Sequence, residues 1–206
     1  GPKPQTPPAP SPQAAEDPAA ALRLRPMRWN ACNEVDTDAA INACGALATD
    51  TAITGSDLAL AQRRLGYALR KKGDLDGALT ALNASIATEP SSAAYNDRGI
   101  TYLLKAQYPD ALANFDDAIR LDAKSGDALN NRAWTYFKTS RIKEALSDAD
   151  KAVTLIGSKA YVWDTRGHIQ EALGERKAAE ADFIKALSLD PELASSRSAL
   201  KRVTGR

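Results

Sequence analysis

Residues 95–118 read YNDRGITYLLKAQYPDALANFDDA, and the spacing inside them decides the fold. Ala111 follows Gly99 by twelve residues, Phe115 comes four later and Ala118 three beyond that. Residues at i, i+4 and i+7 share one face of a helix, so these three predict a buried stripe. A small residue at Gly99 lets a second helix approach closely, and Phe115 fills the space between the two.

The same slots recur along the chain. Gly66, Gly99, Ala133 and Gly167 stand 33, 34 and 34 residues apart. Ala78, Ala111, Ala145 and Ala179 keep the step, as do Leu82, Phe115, Ala149 and Phe183, then Ser85, Ala118, Ala152 and Ala186. Each unit closes at Pro90, Ala123, Gly157 or Pro191, where proline or glycine stops a helix, and Tyr95, Leu129 and Trp163 open the last three units as large apolar anchors. This self-similarity, with alanine-centred helices and no strand signal, predicts an all-α solenoid of helical pairs that bury their faces only by stacking.

Composition narrows the function class. The 206 residues carry 27 basic and 26 acidic side chains, a net charge of +1, which argues against a nucleic-acid partner, normally met by a strongly basic face. No run of 18 apolar residues marks an integral membrane segment. One histidine, two cysteines and no Gly-x-Ser-x-Gly elbow leave neither a nucleophile-base-orienter set nor four metal ligands, so no enzyme activity, metal or cofactor is expected.

The order of Tyr95, Gly99, Tyr102, Ala111, Phe115 and Ala118, with Ala123 where a proline is usual, resembles the tetratricopeptide repeat. The resemblance covers residues 57–193 and departs at Gln62, Ala133, Ala149 and Gln170. It implies a right-handed α-solenoid with four repeats at about 59–91, 92–125, 126–159 and 160–193, whose first helices line a concave groove. Carried onto this chain, the groove presents Arg63, Tyr67, Asn96, Asp97, Ile100, Asn130, Asn131, Trp134, Phe137, Asp164 and His168. Amides there can pair with an extended backbone and aromatics offer apolar contact, which suits a protein or peptide partner. Each has a plainer reading as well: solvated amides, aromatics packed between units, and His168 as a hydrogen-bonded structural residue. Some relatives clamp a terminal carboxylate with two lysines and two asparagines; here Asn131 fits, but Tyr67, Tyr161 and Thr165 occupy other slots, so no such clamp is expected.

Arg98, Arg132 and Arg166 precede the small slot, and Asn114, Asp148 and Asp182 recur sixteen residues later. They read as an internal ladder across each helical pair. After Pro191, residues 194–206 predict a C-terminal capping helix with Ala199, Leu200 and Val203 inward.

Residues 1–27, rich in proline, read as a disordered tether or an expression leader, Gly1-Pro2 having the look of a protease-tag scar. Residues 28–56 read as a half-repeat cap, with Asp36, Thr37 or Asp38 opening a helix that carries Ala40, Cys44 and Leu47. Cys32 and Cys44 read as a disulfide pinning the Trp29 segment onto that helix; two reduced core cysteines are the alternative. Trp29-x-x-Cys32 followed by Ala40-Ile41-x-x-Cys44 is similar to exported tetratricopeptide proteins of bacterial cell envelopes, which implies a periplasmic or secreted protein, or a cytoplasmic one if the thiols are reduced. The resulting expectation is a monomeric, non-catalytic adaptor. The alternatives are a self-assembling scaffold and an accessory domain of an envelope enzyme or transport machine.

Overall fold

The computed structural model describes residues 18–34 and 37–205. Within them the chain forms α1 (Pro18–Cys32), α2 (Thr37–Thr49), α3 (Gly55–Lys72), α4 (Leu75–Thr88), α5 (Ser92–Leu104) and α6 (Tyr108–Leu121). It continues with α7 (Gly126–Lys138), α8 (Ile142–Ile156), α9 (Ala160–Ala172), α10 (Arg176–Leu189) and α11 (Ala194–Thr204), and the described residues contain no strand.

The helices sort into two layers. α1, α3, α5, α7, α9 and α11 each touch the next odd-numbered helix, whereas α2, α4, α6, α8 and α10 touch only their neighbours in sequence. Helices that crowd on one side and part on the other curve the stack, so the odd-numbered layer is the concave one.

The small slots explain the close pairing. A Cβ on Gly99 would lie 2.6 Å from the Phe115 ring, and one on Gly167 would lie 2.6 Å from the Phe183 ring. Both rings are fully buried, so each glycine is a seat for the aromatic of the outer helix. The third pair solves the same problem differently: Ala133 faces Ala149 in a cluster that Ile169 of the next inner helix completes.

Between inner and outer helices the chain turns through a left-handed residue at the same phase each time. Gly73 (φ 91°), Ala106 (φ 56°), Ser140 (φ 61°) and Gly174 (φ 81°) hold it. The two non-glycines cost about 1 kcal/mol each in that region. Ser91 and Ser125 cap α5 and α7, accepting hydrogen bonds from the Ala94 and Ala128 amides.

The N-terminal segment departs from expectation. Residues 18–27, read as part of an extended tether, are helical in α1; the tether's first seventeen residues and Asp36 lie outside the described part. Pro18 occupies the first helical position, where its missing N–H is no loss, and the Ala-Ala-Ala-Leu run behind it is a strong helix former. The cap is therefore a full helical pair, α1 with α2, and α3 starts at Gly55 inside the expected cap range.

Cys32 and Cys44 are joined, with an S–S distance of 2.01 Å. They centre a core with Leu47, Ile53 and Ala61, against which Trp29 packs. Arg25 adds an ion pair to Asp50 at 2.7 Å, and that hydrogen bond holds the Asp50 carboxyl below its ordinary range. A bridge closing so short a loop contributes about 3 kcal/mol. Reduction is expected to strip amide-exchange protection from α1 while leaving α5 to α10 unchanged; equal loss throughout would contradict a local staple.

Candidate functional site

Because successive inner helices stand one repeat apart, residues about 34 positions apart become neighbours along the trough. Arg63 Nη1 donates to Asp97 Oδ2 at 2.8 Å, and Arg70 lies 3.7 Å from the other Asp97 oxygen. Asn131 Nδ2 donates to Asn96 Oδ1 at 3.0 Å. Tyr161 donates its hydroxyl to Asp127, and burial together with that bond raises its pKa. The Trp134 ring lies 5.9 Å from His168, edge-on, and 5.1 Å from Phe137.

These contacts divide the expected groove residues. Tyr67 is open at 47% exposure, and Asn96, Ile100, Asn131, Trp134 and Phe137 are half-buried. Asp97 (7%) and Asn130 (6%) are buried and do not present themselves to a partner, which corrects their reading as open contact positions. Asp97 is consumed by two arginines, and burial pushes its carboxyl above the ordinary value. Asn130 is shut into the α7 packing, and its Oδ1 accepts no hydrogen bond from the described residues.

The last unit is corrected too. α11 acts as one more inner helix and uses the polar groups of α9. Ser195 and Ser196 donate to Asp164 at 2.9 and 2.5 Å, and His168 Nε2 lies 3.0 Å from Ser195 Oγ. His168 also meets the Phe183 ring at 5.1 Å, so it is a packed residue of the cap contact. The open trough is thus centred on α3, α5 and α7.

Arg202 closes the cap with two hydrogen bonds to Glu171, at 3.0 and 2.7 Å. These hold the Glu171 carboxyl below its usual range. A depressed carboxylate contributes stability that is full above the ordinary glutamate pKa and lost as pH falls through the lowered folded value. Amide protection of α11 is therefore expected to drop over that acidic window, and Glu171→Gln to remove the dependence; an equally steep drop in the variant would contradict this clasp.

The arginine ladder holds more rungs than the sixteen-residue rule foresees. Arg98 donates to Asn114, Arg132 to Asp148 and Arg166 to Asp182, at 2.6–2.9 Å. Each also reaches back to the preceding outer helix, Arg98 to Asn83, Arg132 to Asp116 and Arg166 to Asp150. The backward bonds were missed, although the same spacing read in reverse signals them for Arg132 and Arg166. Likewise the 34-residue step applied to polar residues would have found Arg63 with Asp97 and Asp127 with Tyr161.

Sequence and structure comparisons meet this geometry. Residues 96–160 and 160–193 each match the tetratricopeptide repeat family. No curated protein matches the chain. Among solved structures it is similar to the Cut9-Hcn1 hetero-tetramer of APC/C (18% identity, TM-score 0.76, covering 91% of this chain and 36% of that one). It is similar to MamA from Desulfovibrio magneticus RS-1 (18%, 0.67, covering 84% and 97%). It also resembles the first repeat domain of Spaghetti (RPAP3), solved bound to the HSP90 peptide SRMEEVD (23%, 0.54, covering 56% and 91%).

Proposed function

From the premise that the chain is a tetratricopeptide-repeat protein, we propose that it is a non-catalytic adaptor that docks an extended protein segment in the trough formed by α3, α5 and α7. The observation that carries this reading is the Trp134–Phe137 pair, half-buried on the inner layer beside the Asn96–Asn131 amides. A rigid aromatic platform next to paired amides supplies apolar anchoring and backbone recognition together. The peptide-bound repeat domain of RPAP3, a similar fold, adds support.

The partner in this reading is a protein segment, not a nucleic acid. The compartment is the bacterial cell envelope, a reading supported by the Cys32–Cys44 bridge, since such bonds persist in oxidising surroundings. Intact mass from cells, with and without reductant, tests the compartment: a reduced pair in freshly trapped protein would argue for the cytoplasm.

The trough is tested by partner recovery with the triple change Asn96→Ala, Asn131→Ala and Trp134→Ala. Recovery is expected to fall at least about tenfold, with helicity retained; unchanged recovery sinks this surface. A self-assembling scaffold is the second reading, favoured by the exposed Leu22, Leu24 and Met27 of the terminal helix α1. Light scattering across concentrations separates the two, the adaptor remaining monomeric.

A further inference from the structure

The cap pair and the first repeat form an open pocket of about 380 Å³ between the turn after α1, the start of α2 and the inner helix α3. That volume lies at the lower end of the ligand-site range. Cys32, Ala40 and Ala68 give it apolar wall, and Tyr67 lines it while also facing the trough. Its charges are unbalanced. Arg63 is neutralised by Asp97, but Arg64 and Lys71 have no carboxylate partner among the described residues, against a single Glu34 on the same wall.

Arg64 is held in place by its stack on the Trp29 ring, 5.7 Å from guanidinium carbon to centroid. Its partial burial lowers its pKa, so the cation there is incompletely solvated and gains from an anion. Arg64 and Lys71 lie seven residues apart on one helix, roughly 10 Å along its axis. A single carboxylate does not span that distance. Two acidic side chains three residues apart on an extended polyproline-II segment do, since it has three residues per turn and rises about 3.1 Å per residue, which puts both on one face. The residues between them then lie over Tyr67 and Ala68.

We infer that this pocket binds an extended peptide segment carrying two acidic residues three positions apart with an apolar residue between them. The inference rests on the trough reading and names the chemistry of the docked segment's end. It differs from a terminal-carboxylate clamp, because its far wall is built by the disulfide-stapled pair α1 and α2, outside the four repeats.

The test is a nitrogen-15 amide titration of the full chain with acetyl-Glu-Leu-Ala-Glu-amide and its neutral counterpart acetyl-Gln-Leu-Ala-Gln-amide. The acidic peptide is expected to shift the Tyr67, Ala68 and Lys71 amides saturably, with roughly millimolar affinity, and the neutral one to bind roughly tenfold more weakly. Lys71 is exposed, so Lys71→Glu leaves the fold intact and is expected to weaken the acidic peptide by a similar factor; Glu34→Gln tightens it. Equal shifts from both peptides, or none at these amides, would overturn the inference. Shifts confined to Trp134 and Phe137 would overturn it too while leaving the trough reading standing. Loss of the trough reading in the partner-recovery test leaves the pocket shifts to be judged alone.

Discussion

Phe115→Ala is expected to destabilise the solenoid by about 3–5 kcal/mol, read from denaturant unfolding with the m-value tracked for loss of cooperativity. The ring is fully buried and rests on Gly99, where no Cβ stands between the helices. Removing it empties a space lined by backbone, which cannot collapse as a bed of side chains does. Gly99→Ala alone is also expected to destabilise, because overpacking against the ring outweighs the roughly 1 kcal/mol of helix propensity gained. The double change Gly99→Ala with Phe115→Ala recreates the alanine pair that the third repeat holds at 133 and 149. It is expected to cost clearly less than the two single changes summed. Strict additivity would show that the glycine is not a seat for the ring.

Arg132→Met carries the second large effect, about 3 kcal/mol. Its guanidinium hydrogen-bonds Asp148 through two nitrogens, at 2.6 and 2.9 Å, and Asp116 at 2.7 Å. The Arg132 side chain is 19% exposed and that of Asp148 only 4%, so the variant strands a carboxylate away from water. The Asp148 bond is also the first cause of the raised Arg132 pKa, ahead of the opposing effect of burial. Replacing both partners by apolar residues, Arg132→Met with Asp148→Leu, is expected to recover most of the loss. Asp148→Asn is milder, about 1 kcal/mol, because Arg98 already meets an amide, Asn114, at the equivalent rung. A double variant as unstable as Arg132→Met alone would contradict this account.

Much of this architecture is visible in the step between Gly66, Gly99, Ala133 and Gly167, because close helix approach leaves a compositional trace. The forward rungs of the ladder are visible for the same reason: a buried charge needs a partner at a fixed offset. The helix α1 is obscured by the prolines ahead of it, and its burial rests on few side chains, chiefly Trp29 and Cys32. The fate of Asp164 and His168 depends on where α11 docks, a tertiary contact that the repeat period leaves undetermined. Asn130 shares its repeat slot with the accessible Asn96, yet packing buries one and not the other. The pocket against Cys32 is hidden in the sequence because two segments outside a common repeat build it.

The central claim is that the inner layer, and not the outer, receives the partner. Site-specific photo-crosslinking tests it most directly, with a benzophenone amino acid placed in turn at Tyr67 and Ile100 on the trough and at Leu155 at the end of the outer helix α8. The account predicts one partner cross-linked from positions 67 and 100 and none from 155; the same partner captured from 155, with none from the trough, contradicts it.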